Sequence, residues 1–439
     1  MLRRLLSPPR LPGARSFFSL ARLLSRPRLA TILLLALLAA LLEVLVHTGE
    51  FAVSRPGGEL DEPFHIGCRE PAAAARRESA ALVMLVRNSE LAGALKTVQS
   101  VERHFNRWFH YPVVFLNDEP WEPEFVEAMD AAVSGEAVFE VIPRDEWTFP
   151  SWMDEDAARE SIRRQGERSI LYAGRETYHH MCRFYSGKFY TLEALKKYKW
   201  YWRIEPDVDF HCSITYDPFV EMAKHDKVYG FTIALWEVPS TCPGLFREVA
   251  DWKERHRIKT TELWKATMTP SWLPWPFRSM MSRARHRDRY GDGWSLCHYW
   301  SNFEIGSLDF FRGRGYQDLF EHLDKTGGFY FERWGDAAVH ALALAMLVEP
   351  ERIHHFEDFG YRHDWYFQCP ANAPGRQLPE SEALGDFPFA PEQEGGIGCR
   401  CGCDGRKTRN HASYCLNTLK SPNTARRPSF LGWCRSWFD

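Results

Sequence analysis

The chain has 439 residues, 45% of them hydrophobic and 26% charged, with a formal net charge of -3. That length gives one large or two ordinary domains, with apolar residues enough for a globular core. The near-neutral balance supplies no general pull toward polyanions, so nucleic acid is not an expected partner. The 17 tryptophans and 30 phenylalanines suit core packing or a sugar-binding surface equally well.

Residues 1–28 carry seven arginines (Arg3, Arg4, Arg10, Arg15, Arg22, Arg26 and Arg28) and no acid. Leu29 to Val46 follows as an apolar run broken only by Glu43. Such a run just crosses a bilayer, and the arginines before it place the amino end in the cytoplasm. We read an uncleaved signal anchor: a cytoplasmic tail at 1–28, a single membrane span at 29–46 and a lumenal stem at 47–79. The rival is a mitochondrial presequence, which is also Arg-rich and acid-poor. Eleven cysteines suit an oxidising lumen, and the odd number leaves at least one thiol unpaired. Cys399, Cys401, Cys403, Cys415 and Cys434 crowd a Pro- and Cys-rich extension at 371–439. The CRCGC spacing is short for paired zinc ligands, so disulfide staples are expected there.

At residue 80 the texture changes. Ala81 to Val86 is a continuous apolar run, the mark of a strand covered on both faces. A helical pattern follows to His104. Tyr111 to Leu116 and Ala137 to Ile142 predict two more strands, with a helix from Trp121 to Ala131 between them. This alternation predicts an α/β sheet, largely parallel, over a domain at 80–370. Ligands in such sheets lie beyond the carboxyl ends of the strands, which would gather Arg87, Asp118 and the acids near 205 along one rim. Tyr178 to Tyr198 predicts a helix and Val228 to Trp236 a strand. Residues 250–293, with Trp264, Trp272 and Trp275 and a run of arginines, predict an exposed segment.

Three stretches carry candidate chemistry. In YWRIEPDVDF, Glu205, Asp207 and Asp209 alternate, so in an extended strand all three would share one face and suit a divalent cation. A solvated acidic strand end reads equally well, and Pro206 stops the ladder nearby. Glu304 is the only charge among the apolar and amide residues of WSNFEI, placed either for structure or for chemistry. Asp336 precedes a strong apolar helix, as an N-cap or at an anion or sugar site. Of three histidines in IHHFEDFGYRHDWY, His363 after the Gly-Tyr turn is the best-placed ligand.

Taken together, VMLVRNSEL, YHHMCRFYSGKFY, the EPDVD stretch, HYWSNFEIGSLDFFR, FYFERWGDAAVHALA and HHFEDFGYRHDWY resemble the fungal Golgi α-1,2-mannosyltransferases, glycosyltransferase family 15. The resemblance covers about residues 80–370. It implies a GT-A-like α/β fold, a type II Golgi membrane protein and transfer of mannose from GDP-mannose to a mannosylated glycan with Mn²⁺. It implies Glu205 and His363 at the metal, with Asp207 as support, in place of the Asp207/Asp209 pair that spacing alone suggests. It implies Tyr178 at the nucleotide-sugar, Glu304 as nucleophile and Asp336 in the catalytic pocket. Arg87 and Arg183 follow as diphosphate or guanosine contacts, on charge and motif position. Rival readings are a lumenal binding protein that keeps the fold, and a transferase for another nucleotide-sugar.

Overall fold

The computed structural model describes residues 27–53, 62–71, 76–376, 389–405 and 413–420. The basic stretch before Pro27, parts of the predicted stem and Cys434 lie outside them. The strands are β1 (Ala80–Leu85), β2 (Val113–Asn117), β3 (Ala137–Val141), β4 (Trp200–Arg203), β5 (Asp209–Phe210), β6 (Tyr229–Phe231) and β7 (Ala234–Trp236). They continue with β8 (Met268–Thr269), β9 (Gly293–Trp294), β10 (Cys297–Tyr299), β11 (Glu304–Ser307), β12 (Ile353–His355), β13 (Tyr361–His363) and β14 (Tyr366–Gln368). The central sheet runs β12-β6-β11-β4-β1-β2-β3. Neighbours are parallel, except that β11 runs against both β4 and β6.

The continuous apolar runs sit in the middle of this sheet because both faces are covered. Ala81 and Val83 of β1 face one core, and Leu82 and Met84 face the other, all wholly buried. Helices α1 (Pro27–Glu50), α2 (Leu91–Val101) and α3 (Pro123–Ala132) come first in the chain. Val98 and Val101 of α2 and Phe125 and Met129 of α3 fill the second core. The first core receives α4 (Glu155–Glu167) and α5 (Glu176–Arg183); α6 (Pro218–Lys224) instead sends Phe219 and Met222 into the second; α7 (Leu245–Arg255), α8 (Glu262–Thr267), α9 (Arg314–Thr326) and α10 (Asp336–Leu347) return to the first. Ala338 through Met346 of α10 are all buried, which explains an apolar run with no polar face.

Three elements differ from their sequence patterns. The helix predicted over 178–198 ends as α5 at Arg183 and continues as a π-turn over Phe184–Lys188. Ser186 Oγ donates back to the Cys182 carbonyl at 2.7 Å, and Gly187 lies against the Phe320 ring, where a Cβ would come within 2.2 Å. The strand predicted over 228–236 divides into β6 and β7, because the Thr232 carbonyl accepts from the His355 ring (2.9 Å) and β7 leaves to pair with β10. Residues 250–293 are not uniformly exposed. Trp252, Leu263 and Trp264 are buried, and the exposed large apolar side chains of the stretch lie in the excursion between β8 and β9.

Four disulfides lace the carboxyl-terminal region to the body: Cys68–Cys399, Cys212–Cys401, Cys369–Cys403 and Cys297–Cys415. The last holds helix α11 (Ser413–Lys420) against β10. Among the described residues Cys182 and Cys242 are free thiols, both buried. At the other end, α1 is long and apolar enough to cross a membrane.

Candidate active site

β4 carries the chain to the rim and stops there. Pro206 has no amide hydrogen for the ladder, and Asp207 turns the backbone at φ 63°. Its carboxylate lies over Gly93 of α2, where a Cβ would sit 2.7 Å from Oδ2, so only glycine leaves it room. Asp209 then opens β5 and pairs with Lys96 at 3.1 Å. The three alternating acids therefore do not share a face, because the turn at 206–207 breaks the strand period. Asp207 is exposed and Glu205 alone reaches the cavity described below.

The same turn sets up a longer-range meeting. β5 pairs with β13 in the register Phe210↔Tyr361 and Asp209↔Arg362. That register delivers His363 to Glu205, with Nε2 3.9 Å from Oε2. The His363 ring stands edge-on to Trp300, and its Nδ1 lies 3.0 Å from the Asn302 side-chain amide. With the amide turned so that its oxygen accepts from Nδ1–H, Nε2 keeps its lone pair for a ligand, and the amide nitrogen faces Tyr361 Oη. No cluster of three or more His, Cys, Asp or Glu side chains suited to a metal occurs among the described residues. The pair thus offers one carboxylate and one imidazole, a set that fits a borderline divalent ion such as Mn²⁺ whose other positions are filled by ligand oxygens.

Behind this pair lies Arg203, which sequence reasoning passed over. It precedes Glu205 by one full pleat and so points the same way. Its guanidinium donates to Asp336 at 2.6 Å and to Glu205 at 2.5 Å, and it lies 4.0 Å from Glu304 and 3.5 Å from the centre of the Tyr185 ring. The π-turn after α5 is what aims Tyr185 at it. Asp336 also accepts from Ser301 Oγ at 2.7 Å. Burial would raise the Asp336 carboxyl, but Arg203 and then His340 hold it below the usual carboxylate range.

Glu304 is wholly buried on β11, opposite Arg203 in the register of β4 and β11. Both its oxygens are taken. Tyr201 Oη donates to one at 3.0 Å, and Tyr229 Oη (2.8 Å) and His340 Nδ1 (3.1 Å) approach the other. Burial alone would lower the His340 pKa, but the neighbouring Glu304 charge outweighs it and raises it. Neither Glu304 nor Asp336 lines the cavity. Asp336 does start a helix, yet its carboxylate is committed to Arg203 and Ser301 and makes no side-chain cap.

The cavity, of about 260 Å³, opens beyond the carboxyl ends of β1, β2 and β4. Arg87, Asn117, Asp118, Arg175, Tyr178 and Glu205 are among its walls. Arg87 is held over the rim by Glu90 at 3.2 Å. Tyr178 packs under the Arg333 guanidinium, which pairs with Glu237, and burial raises its phenol pKa. Arg183 is placed elsewhere. It is buried, donates two bonds to Asp324 (2.7 and 2.9 Å) and one to the Thr148 carbonyl (3.3 Å), and is absent from the cavity wall. Five residues separate it from Tyr178, about 140° around the axis of α5, so Arg183 stands away from the cavity that Tyr178 lines.

A family model described as glycolipid 2-alpha-mannosyltransferase matches residues 57–378. The chain belongs to that family. It is 41% identical over 332 residues to the Schizosaccharomyces pombe protein named O-glycoside alpha-1,2-mannosyltransferase homolog 4, covering 70% of this chain and 75% of that one. It is also similar to the crystal structure of core-mannan synthase A (CmsA/Ktr4) from Aspergillus fumigatus in a Mn/GDP form. There the TM-score is 0.62 at 36% identity, over 76% of this chain and 89% of that one. The mannosyltransferase Ktr4p of Saccharomyces cerevisiae in complex with GDP gives a TM-score of 0.65 at 32% identity, over 88% and 90% of the two chains. The family fold is the GT-A-like mixed sheet described above.

Proposed function

We propose that this family member is a retaining α-1,2-mannosyltransferase that moves mannose from GDP-mannose to a mannose-terminated glycan with Mn²⁺. We further propose that residues 80–370 form its catalytic domain, held in the Golgi lumen by a single N-terminal span in α1. The observation that carries the reading is the meeting of Glu205 and His363 beside a cavity at the strand ends. The relative with a Mn/GDP structure supports the choice of ion and nucleotide.

Glu205 and His363 would hold Mn²⁺, which when bound supplies Lewis-acid neutralisation of the leaving diphosphate. Arg87 stands where it can add a second positive charge to those oxygens. Tyr178 forms a rigid wall for the nucleotide-sugar. Arg203 fixes the Glu205 carboxylate through one oxygen and leaves the other toward His363. Donor and product are both α-linked, so retention needs either two inversions or a front-face substitution. The placement of Glu304 favours the second. Both its oxygens are engaged by Tyr201, Tyr229 and His340, and it does not open onto the cavity, so it acts as a fixed negative charge behind oxocarbenium-like charge.

The test is a donor panel. Membrane-reconstituted chain should transfer from GDP-mannose to α-methyl-mannoside only with Mn²⁺, and not from GDP-fucose or UDP-sugars. Transfer from a different donor, or none from any, would overturn the reading in favour of another transferase or a binding protein.

A further inference from the structure

The excursion between β8 and β9 gathers several large exposed apolar side chains on one short segment. Trp272, Trp275, Phe277 and Met280 are 63%, 69%, 59% and 72% exposed. Large aromatic side chains gathered this way on one short segment mark an interaction site rather than ordinary surface. The segment is pinned to one place on the molecule, the lumenal end of α1. The Trp275 amide donates to Glu43 Oε2 at 3.1 Å and Arg278 Nη2 to Glu43 Oε1 at 2.8 Å. At its root, Asp292 accepts from the Ser271 amide at 2.8 Å and lies 2.9 Å from His47 Nε2.

Glu43 stands about one helical turn short of Val46, where the apolar run of α1 ends. A backbone amide bonded to it is therefore at the level of the lipid headgroups when α1 spans a bilayer. Tryptophan prefers that level, with its ring in the acyl boundary and its indole N–H toward water. Exposed Arg283 and Arg285 follow directly, suited to headgroup phosphates. We propose that residues 272–285 form a second membrane contact, inserting Trp272, Trp275 and Phe277 into the lumenal leaflet beside the anchor. The contact fixes the orientation of the catalytic domain relative to the membrane, which a single helix alone leaves free to swivel. It rests on α1 crossing a membrane.

The anchor and the stretch before it contain no tryptophan, so insertion of α1 alone is silent in tryptophan emission. The full chain is placed in nanodiscs of phosphatidylcholine with a minor share of phosphatidylserine, with or without bromine on the acyl chains. Bromolipid is expected to quench part of the emission, and Trp272→Ser/Trp275→Ser should remove more than half of that quenching while transfer to α-methyl-mannoside is unchanged. Absence of lipid-dependent quenching, or full quenching in the double variant, overturns the proposal. No quenching together with a raised KM for mannan in the double variant also overturns it and assigns the patch to the acceptor. Alkaline carbonate extraction separates the two readings: release of the chain overturns the anchor itself, whereas retention without quenching overturns only the second contact.

Discussion

Arg203 is the residue on which the charges of the site converge. It is buried and bonded to Asp336 and Glu205, with Glu304 4.0 Å away. A buried guanidinium with carboxylates on several sides is costly to remove, because the acids then remain buried and unpaired. Arg203→Met should cost about 3–5 kcal/mol of stability, seen as a fall in the thermal midpoint, and abolish transfer. Glu304→Gln keeps the shape and one acceptor oxygen, with the tyrosine hydroxyl that meets the amide nitrogen turning to accept, so it should fold and bind GDP yet transfer at least ~10²-fold more slowly. A slow 2-fluoro-mannosyl donor should leave no mannosyl ester on Glu304 by mass spectrometry; an ester there would reinstate it as nucleophile. At this scale the sequence was partly legible. The family motifs named Glu205 and His363, which the structure brings to 3.9 Å. The alternation of acids at 205–209 misled, because side-chain period reports a face only while the strand lasts, and Pro206 ends it. Arg203 has the same two-residue spacing to Glu205, but a cation in a strand next to acids reads as an ordinary ion-pair partner until the fold brings Asp336 to it. His340 and Tyr185 gave no local signal, since their roles depend on packing between distant segments.

At the scale of elements, the apolar runs of β1, β2 and α10 announced themselves, since burial on all sides leaves no room for polar residues. The π-turn after α5 did not. It depends on Gly187 meeting Phe320 across the core, a contact no helical pattern contains. Gly187→Ala should lower stability by about 1–3 kcal/mol, and Phe320→Leu in the same chain should recover part of it. If Gly187→Ala unfolds at the wild-type temperature, the turn is not held by this contact. The segment between β12 and β13 carries a pH dependence of its own. Asp358 is buried, and burial raises its carboxyl to about 7 although Tyr216 donates to it at 2.8 Å. A carboxyl raised in the folded state stabilises the fold at acid pH, and that contribution is lost as pH rises toward and through 7. Asp358→Asn should therefore raise the thermal midpoint at pH 8, with the gain shrinking as pH falls to 5. An equal gain at both pH values would show that Asp358 does not bind a proton on folding.

For the whole molecule, the cysteines made a stapled carboxyl-terminal region legible but not its connectivity, because pairing is decided by which strands lie near one another. The bridges reach back as far as Cys68, across 331 residues of sequence. Cys212–Cys401 sits close to β5, whose pairing with β13 brings His363 to Glu205. Replacing both cysteines by serine should cost roughly 2–5 kcal/mol and weaken Mn²⁺ binding along with stability. The overall sheet was legible as largely parallel, and the antiparallel β11 that carries Glu304 was not, since strand direction leaves no mark on a four-residue segment. The central claim is that residues from β4 and β13 together hold one ion against a nucleotide diphosphate. Titration of Mn²⁺ followed by electron paramagnetic resonance, with and without GDP, tests it most directly. The account predicts tight binding only with GDP present, lost in Glu205→Gln and in His363→Ala; GDP-dependent binding that survives both substitutions would contradict it.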